Sequence, residues 1–102
     1  MKRTIKIITR QCIAVVNPDT IVYIQKQGRK ITIVTKIGSF SMYGKIEDLD
    51  EFLDKRFYYP NSKLVVNLEE IELISENSVC FKTGEKLVLG RDSFIIVLIL
   101  SR

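Results

Sequence analysis

No histidine and no tryptophan occur among the 102 residues, and cysteine appears only twice. The missing His removes Ser-His-Asp and Cys-His catalysis and every zinc site that needs an imidazole. Two cysteines cannot supply a four-ligand metal site. Cys12 and Cys80 each stand alone among strand-like residues, the setting of a reduced core thiol in a cytosolic protein rather than of a disulfide framework. Long apolar runs are absent too. The longest, Phe94 to Leu100, has seven residues, where a membrane-spanning helix needs about 20. The basic start Met1-Lys2-Arg3-Thr4-Ile5-Lys6 is broken by Lys6 and Thr9 before an apolar signal-peptide core can form. These absences predict a cytoplasmic protein without membrane insertion, metal or cofactor. They leave no nucleophile, base and metal constellation from which to assemble an enzyme.

What is present points to one mainly β domain over residues 1–102. Fifteen Ile and nine Val stand against nine Leu and a single Ala, so β-branched residues far outnumber good helix formers. Apolar residues at 46% and charged residues at 27% match a folded chain, and this length suffices for one core but not two. The net charge of +4 permits a polyanionic partner without requiring one. Its distribution says more. Residues 1–36 hold eight Lys or Arg and one acid, whereas residues 37–102 hold eight basic and eleven acidic residues. Such segregation is what a polyanion-binding face needs, although a solvated strand face would show it as well.

Along the chain, Ile5, Ile7 and Ile8 and then Ile13, Val15 and Val16 predict two short strands around Thr9-Arg10-Gln11. Asn17-Pro18-Asp19-Thr20 is a turn cluster, since Pro presets φ and the Asn and Asp side chains bond nearby backbone. Ile21 and Tyr23, then Ile31 and Ile33, flank Gln27-Gly28-Arg29-Lys30 as a hairpin with Gly at its turn. Phe40 and Met42 mark another strand, after which the period changes. Ile46, Leu49, Phe52 and Leu53 have helical spacing and predict one amphipathic helix near 46–54, with Glu47, Asp48, Asp50, Glu51 and Asp54 on its solvated side. The segment Phe57 to Lys63 contains Pro60 and reads as a loop presented before the buried strand Leu64-Val65-Val66. Ile71 to Ile74, Val79 to Phe81 and Leu87 to Leu89 supply three more strands, and the apolar tail 94–100 a final strand or short helix packed on a sheet.

In that order of elements, with Phe57-Tyr58 followed by Val65-Val66-Asn67-Leu68 and by Leu89-Gly90-Arg91, the chain resembles the LytTR DNA-binding domain of bacterial transcription regulators from about Cys12 to Arg91. The resemblance implies short antiparallel sheets stacked as an elongated β sandwich, with loops at one edge entering successive DNA grooves. It places three segments against duplex DNA: Arg29 and Lys30 in the hairpin, Asn61, Ser62 and Lys63 in the loop, and Arg91 after the last strand. The residue types suit the task. Arg reaches guanine bidentately, Asn matches adenine, and Lys and Ser suit phosphates.

The chain departs from the family pattern at the loop. Counting back from Asn67 puts Asn61 where the family has His, Ser62 where it has Arg or Lys, and Lys63 where it has Ser. A slide by one residue instead aligns Asn61-Ser62 with an Asn-Ser variant and leaves Lys63 as an insertion. A chain starting at Met1 leaves no room for the receiver domain of most members, so control is expected from expression, assembly or a partner. The leading expectation is a sequence-specific DNA-binding regulator acting as paired copies. The alternative is a LytTR-like interaction module that does not bind DNA and pairs with or sequesters another regulator, motivated by Asn61, Ser62 and the apolar tail.

Overall fold

Alternating apolar residues set ten strands, which the computed structural model, describing residues 3–100, arranges in three antiparallel sheets. Strands β1 (Ile5–Ile8) and β2 (Ile13–Val16) form a two-stranded sheet, with Ile5 opposite Val16 and Ile8 opposite Ile13. The central sheet has five strands in the order β5-β4-β3-β7-β6: β3 (Ile21–Gln27), β4 (Lys30–Thr35), β5 (Gly38–Tyr43), β6 (Phe57–Asn61) and β7 (Leu64–Asn67). A third sheet, ordered β10-β9-β8, contains β8 (Ile71–Ser75), β9 (Ser78–Phe81) and β10 (Lys86–Val88). Helix α1 (Arg91–Leu100) closes the chain against β6.

The central sheet is covered on both faces, which makes the stacked sandwich expected from the sequence. On one face Ile21 and Ile24 of β3, Ile31 and Ile33 of β4 and Val65 of β7 pack with Ile5, Ile7 and Val16 of the two-stranded sheet. On the other, Val22, Tyr23, Val34, Leu64 and Val66 pack with Val79, Phe81, Leu87 and Val97. Tyr23 and Phe81 stack there with ring centroids 5.4 Å apart, and burial raises the Tyr23 pKa, with the charge of Glu85 adding to the shift. The buried run Ile21-Val22-Tyr23-Ile24 feeds both cores, and a register shift between Ile21 and Tyr23 in the pairing with β4 breaks the alternation there, so the neighbours Val22 and Tyr23 share one face.

Two expectations need adjusting. The amphipathic helix expected near 46–54 is present at Ile46–Phe52, as a 3-10 helix and not an α-helix, and Leu53 already has extended backbone at φ −104°. The reason is in the spacing. Ile46, Leu49 and Phe52 repeat every three residues, the period of a 3-10 turn, and Ile46 and Leu49 are buried by it. The carboxylates Glu47, Asp48, Asp50 and Glu51 are exposed as expected. The second correction concerns Phe57 to Lys63, which is strand β6 up to Asn61 and a turn only at Ser62 and Lys63. Pro60 is tolerated inside β6 because that strand lies at the edge of the sheet and its pairing with β7 shifts register between Tyr58 and Asn61.

The tail is helical from Arg91 to Leu100, with Val97 buried and Ile95 exposed. The side chains of Phe94, Ile96 and Leu98 to Leu100, on which the choice between a packed tail and a partner surface rests, lie outside the described residues. Among the described residues no helix is long and apolar enough to cross a membrane.

Candidate nucleic-acid interface

Antiparallel register gathers distant segments at one end of the central sheet. β3 ends at Gln27 and β4 begins at Lys30, joined through Gly28-Arg29. Gly28 has φ +62°, a conformation that suits Gly at the first position of a two-residue hairpin turn. Tyr43, the last residue of β5, lies opposite Lys30. Leu64, the first of β7, lies opposite both Gln25 of β3 and Asn61 of β6. The hairpin turn and the Ser62-Lys63 turn are thus neighbours, and the Lys26 amide donates to the Lys63 carbonyl at 2.8 Å.

Helix α1 brings the last segment to the same place. The Ser93 hydroxyl donates to the Pro60 carbonyl at 3.2 Å, and the Asn61 amide nitrogen donates to the Ser93 oxygen at 3.4 Å. Between β3, the Ser62-Lys63 turn and the end of β10 lies a concavity of about 360 Å³, lined by Lys26, Asn61, Ser62, Lys63, Val88 and Gly90 among others. All six sequence-predicted residues therefore sit at one end of the sheet. Asn61, Ser62 and Lys63 adjoin the start of α1 at Arg91, while Arg29 and Lys30 stand at the neighbouring hairpin.

Geometry gives Asn61 a local duty. Its carbonyl oxygen accepts the Lys63 amide at 2.9 Å, so the side chain closes its own turn as Asx residues do. That leaves the amide N–H group, shared weakly with Ser93, as its contribution to an incoming ligand. Ser62, Lys63, Arg29, Lys30 and Arg91 are exposed. Among the described residues, ion pairs join Arg3 to Glu51, Lys36 to Glu70, and Arg56 to both Asp19 and Asp54. The cations of the candidate interface are not in that set. Asp92 at the head of α1 is the acid nearest to it along the chain.

Lys26 was missed by the sequence reading. It sits half-buried at the concavity, tied by its backbone to Lys63, and only the pairing of β3 with β7 reveals this. Asn67, in the most specific string of the family resemblance, turns out to be architectural. It is 1% exposed, donates from Nδ2 to the Ile21 carbonyl at 2.9 Å and accepts the Glu69 amide at 3.0 Å. It lies at the end of β7 away from the loop.

A solved structure described as the LytTr DNA-binding domain of a methyl-accepting/DNA response regulator from Bacillus cereus is similar to this chain, with a TM-score of 0.76 at 15% identity. The match covers 99% of this chain and 97% of that one, which establishes the shared fold. No curated protein matches. The family of the LytTr DNA-binding domain matches residues 11–94, from the β1–β2 turn to the first turn of α1, and the chain belongs to that family of non-enzymatic DNA-binding domains.

Proposed function

We propose that this chain is a sequence-specific transcriptional regulator that reads duplex DNA through the turns at the cation-rich end of its central sheet. The observation that carries this reading is convergence. Three segments far apart in sequence, Arg29-Lys30, Asn61-Ser62-Lys63 and Arg91, lie at one sheet end as exposed side chains, the first two held by backbone pairing and Arg91 by the contact of Ser93 in α1 with β6. Turns on a rigid sheet are suited to groove contacts because their backbones need no ordering on binding. Arg91 and Arg29 take base edges, Lys30 and Lys63 take phosphates, and Ser62 bonds to either. Asn61 fixes the turn and offers its N–H to a base acceptor. Residues 1–102 act as one cytoplasmic domain, two copies binding paired sites in a promoter.

Competition binding to random and selected duplexes across a salt series tests the proposal. With about four to six phosphates neutralised, log K should fall with log salt at a slope near −4 to −5, and selected duplexes should outcompete random ones. A folded protein with no duplex affinity at low salt overturns it and favours the alternative, an interaction module that pairs with or sequesters another regulator. The exposed apolar residues Ile8, Ile13 and Val15 on one face of the β1–β2 sheet are the observation on that side.

A further inference from the structure

Beyond the three segments discussed, the turn between β1 and β2 stands beside the same end of the molecule. Thr9 closes this turn: its amide donates to the Cys12 carbonyl at 2.9 Å, and its hydroxyl oxygen accepts the Gln11 and Cys12 amides at 3.3 and 3.1 Å. Arg10 is therefore carried at the tip of a turn fixed by its own hydrogen bonds, and it is exposed. Between this turn and the ends of β4 and β5 lies a concavity of about 550 Å³, lined by Lys6, Thr9, Arg10, Lys30, Ser41 and Tyr43 among others. Its charged groups, Lys6, Arg10 and Lys30, are all cations. Tyr43 is 77% exposed at its mouth.

We propose that this concavity seats the sugar-phosphate backbone of the same duplex, flanking the segments that read bases, with Lys6 and Arg10 as its phosphate ligands. The inference rests on the DNA-binding reading and lengthens its footprint. Charge complementarity selects the occupant: three cations and the hydroxyls of Ser41 and Tyr43 suit phosphate oxygens. Continuity selects the source, because Lys30 belongs both to this concavity and to the β3–β4 hairpin. Dimensions separate it from base readout. Strands about 4.8 Å apart put roughly 19 Å between β6 and β5, already wider than a major groove of about 12 Å. The β1–β2 turn, packed against the ends of β4 and β5 on the far side of that span from β6, meets the backbone bordering the groove.

The test compares the full chain with the variant Lys6→Ala/Arg10→Ala, using a selected duplex with long flanks and one trimmed by about five base pairs on each side. On the long duplex the variant should bind about tenfold more weakly, with the salt slope reduced by about 1.8, from roughly 0.9 per phosphate contact, and with unchanged sequence preference. On the trimmed duplex the two proteins should bind alike. Arg10→Glu should exceed the double variant in effect. If the full chain binds the selected duplex and loses affinity on Arg91→Ala, yet the double variant keeps its slope and affinity, the flanking site is wrong and the DNA-binding reading stands. If the full chain binds no duplex, both fall. A changed sequence preference in the variant would also overturn the assignment, since it would make Arg10 a base reader.

Discussion

The two ends of the central sheet are made from the same strands and have opposite chemistry. At one end Lys26, Arg29, Lys30, Lys63 and Arg91 project around two short turns, with the Arg10 turn beside them. At the other, charges are paired and backbone is stitched. Arg56 binds Asp54 and Asp19 through contacts of 2.8 Å, and Lys36 binds Glu70 at 3.2 Å. Asn17 and Asn67 cap 3-10 turns at Pro18–Thr20 and Leu68–Glu70. Backbone bonds run from Lys36 to Thr20, from Leu68 to Arg56 and from Lys82 to Glu70. The contrast teaches a division of labour: one end holds the sheets in register, which lets the other present cations that would repel one another in a looser scaffold.

The largest effect expected from breaking this division is at Asn67. Asn67→Ala removes two hydrogen bonds of a buried side chain and orphans the Ile21 carbonyl, a loss of about 2–4 kcal/mol. Melting should fall by roughly 10 °C or more. Below the transition, DNA affinity should be retained. A small melting shift with lost binding would erase the distinction between the ends.

Arg91→Ala should behave in reverse. Affinity for a selected duplex should drop by about 1–3 kcal/mol, the worth of a good base contact, while the melting temperature holds. An equal loss on random duplexes would make Arg91 a phosphate contact instead. Asn61→Ala sharpens the boundary, because that residue belongs to both categories. Losing its bond to the Lys63 amide should destabilise by about 1 kcal/mol and relax base preference at one or two positions. A melting shift with the selected motif intact would leave only its structural role. Lys63→Ala should lower affinity for all sequences alike and reduce the salt slope by about 0.9.

The smallest effect concerns pH. The Arg56 hydrogen bond holds the Asp54 carboxyl below its usual value of 3.8, so the folded protein binds that proton less tightly than the unfolded chain. Its stabilisation is present above the usual value and fades as pH falls through the lowered one. Asp54 is 55% exposed, so solvent screening limits the effect to a few tenths of a kcal/mol. Asp54→Asn should flatten the acid limb of the stability profile by that amount.

Much of the fold was legible because alternation reports burial. Ile5 to Ile8, Ile13 to Val16, and Ile21 with Ile31 around Gly28 read directly as paired strands. What misled was local composition. Residues 46–54 carry a spacing that a 3-10 and an α-helix share at i and i+3, and only packing of Ile46 and Leu49 decides between them. Pro60 argued for a loop, but an edge strand with a register shift asks no amide of it. The six residues proposed to face DNA came from the order of motifs shared with the family. The proposed additions Lys26 and Arg10 were not legible, because only strand pairing and sheet stacking bring them near those residues.

Strand β3 has a consequence for how the molecule opens. Because Ile21 and Ile24 belong to one core and Val22 and Tyr23 to the other, neither outer sheet can separate without uncovering β3. Local opening of one sheet therefore approaches global unfolding, and the amides of β3, paired to β4 on one side and β7 on the other, should exchange with solvent deuterium at the slowest rate in the chain. The turn at Gly28-Arg29 is the direct continuation of that strand, so the tip proposed to meet DNA is anchored in the part of the protein expected to open last.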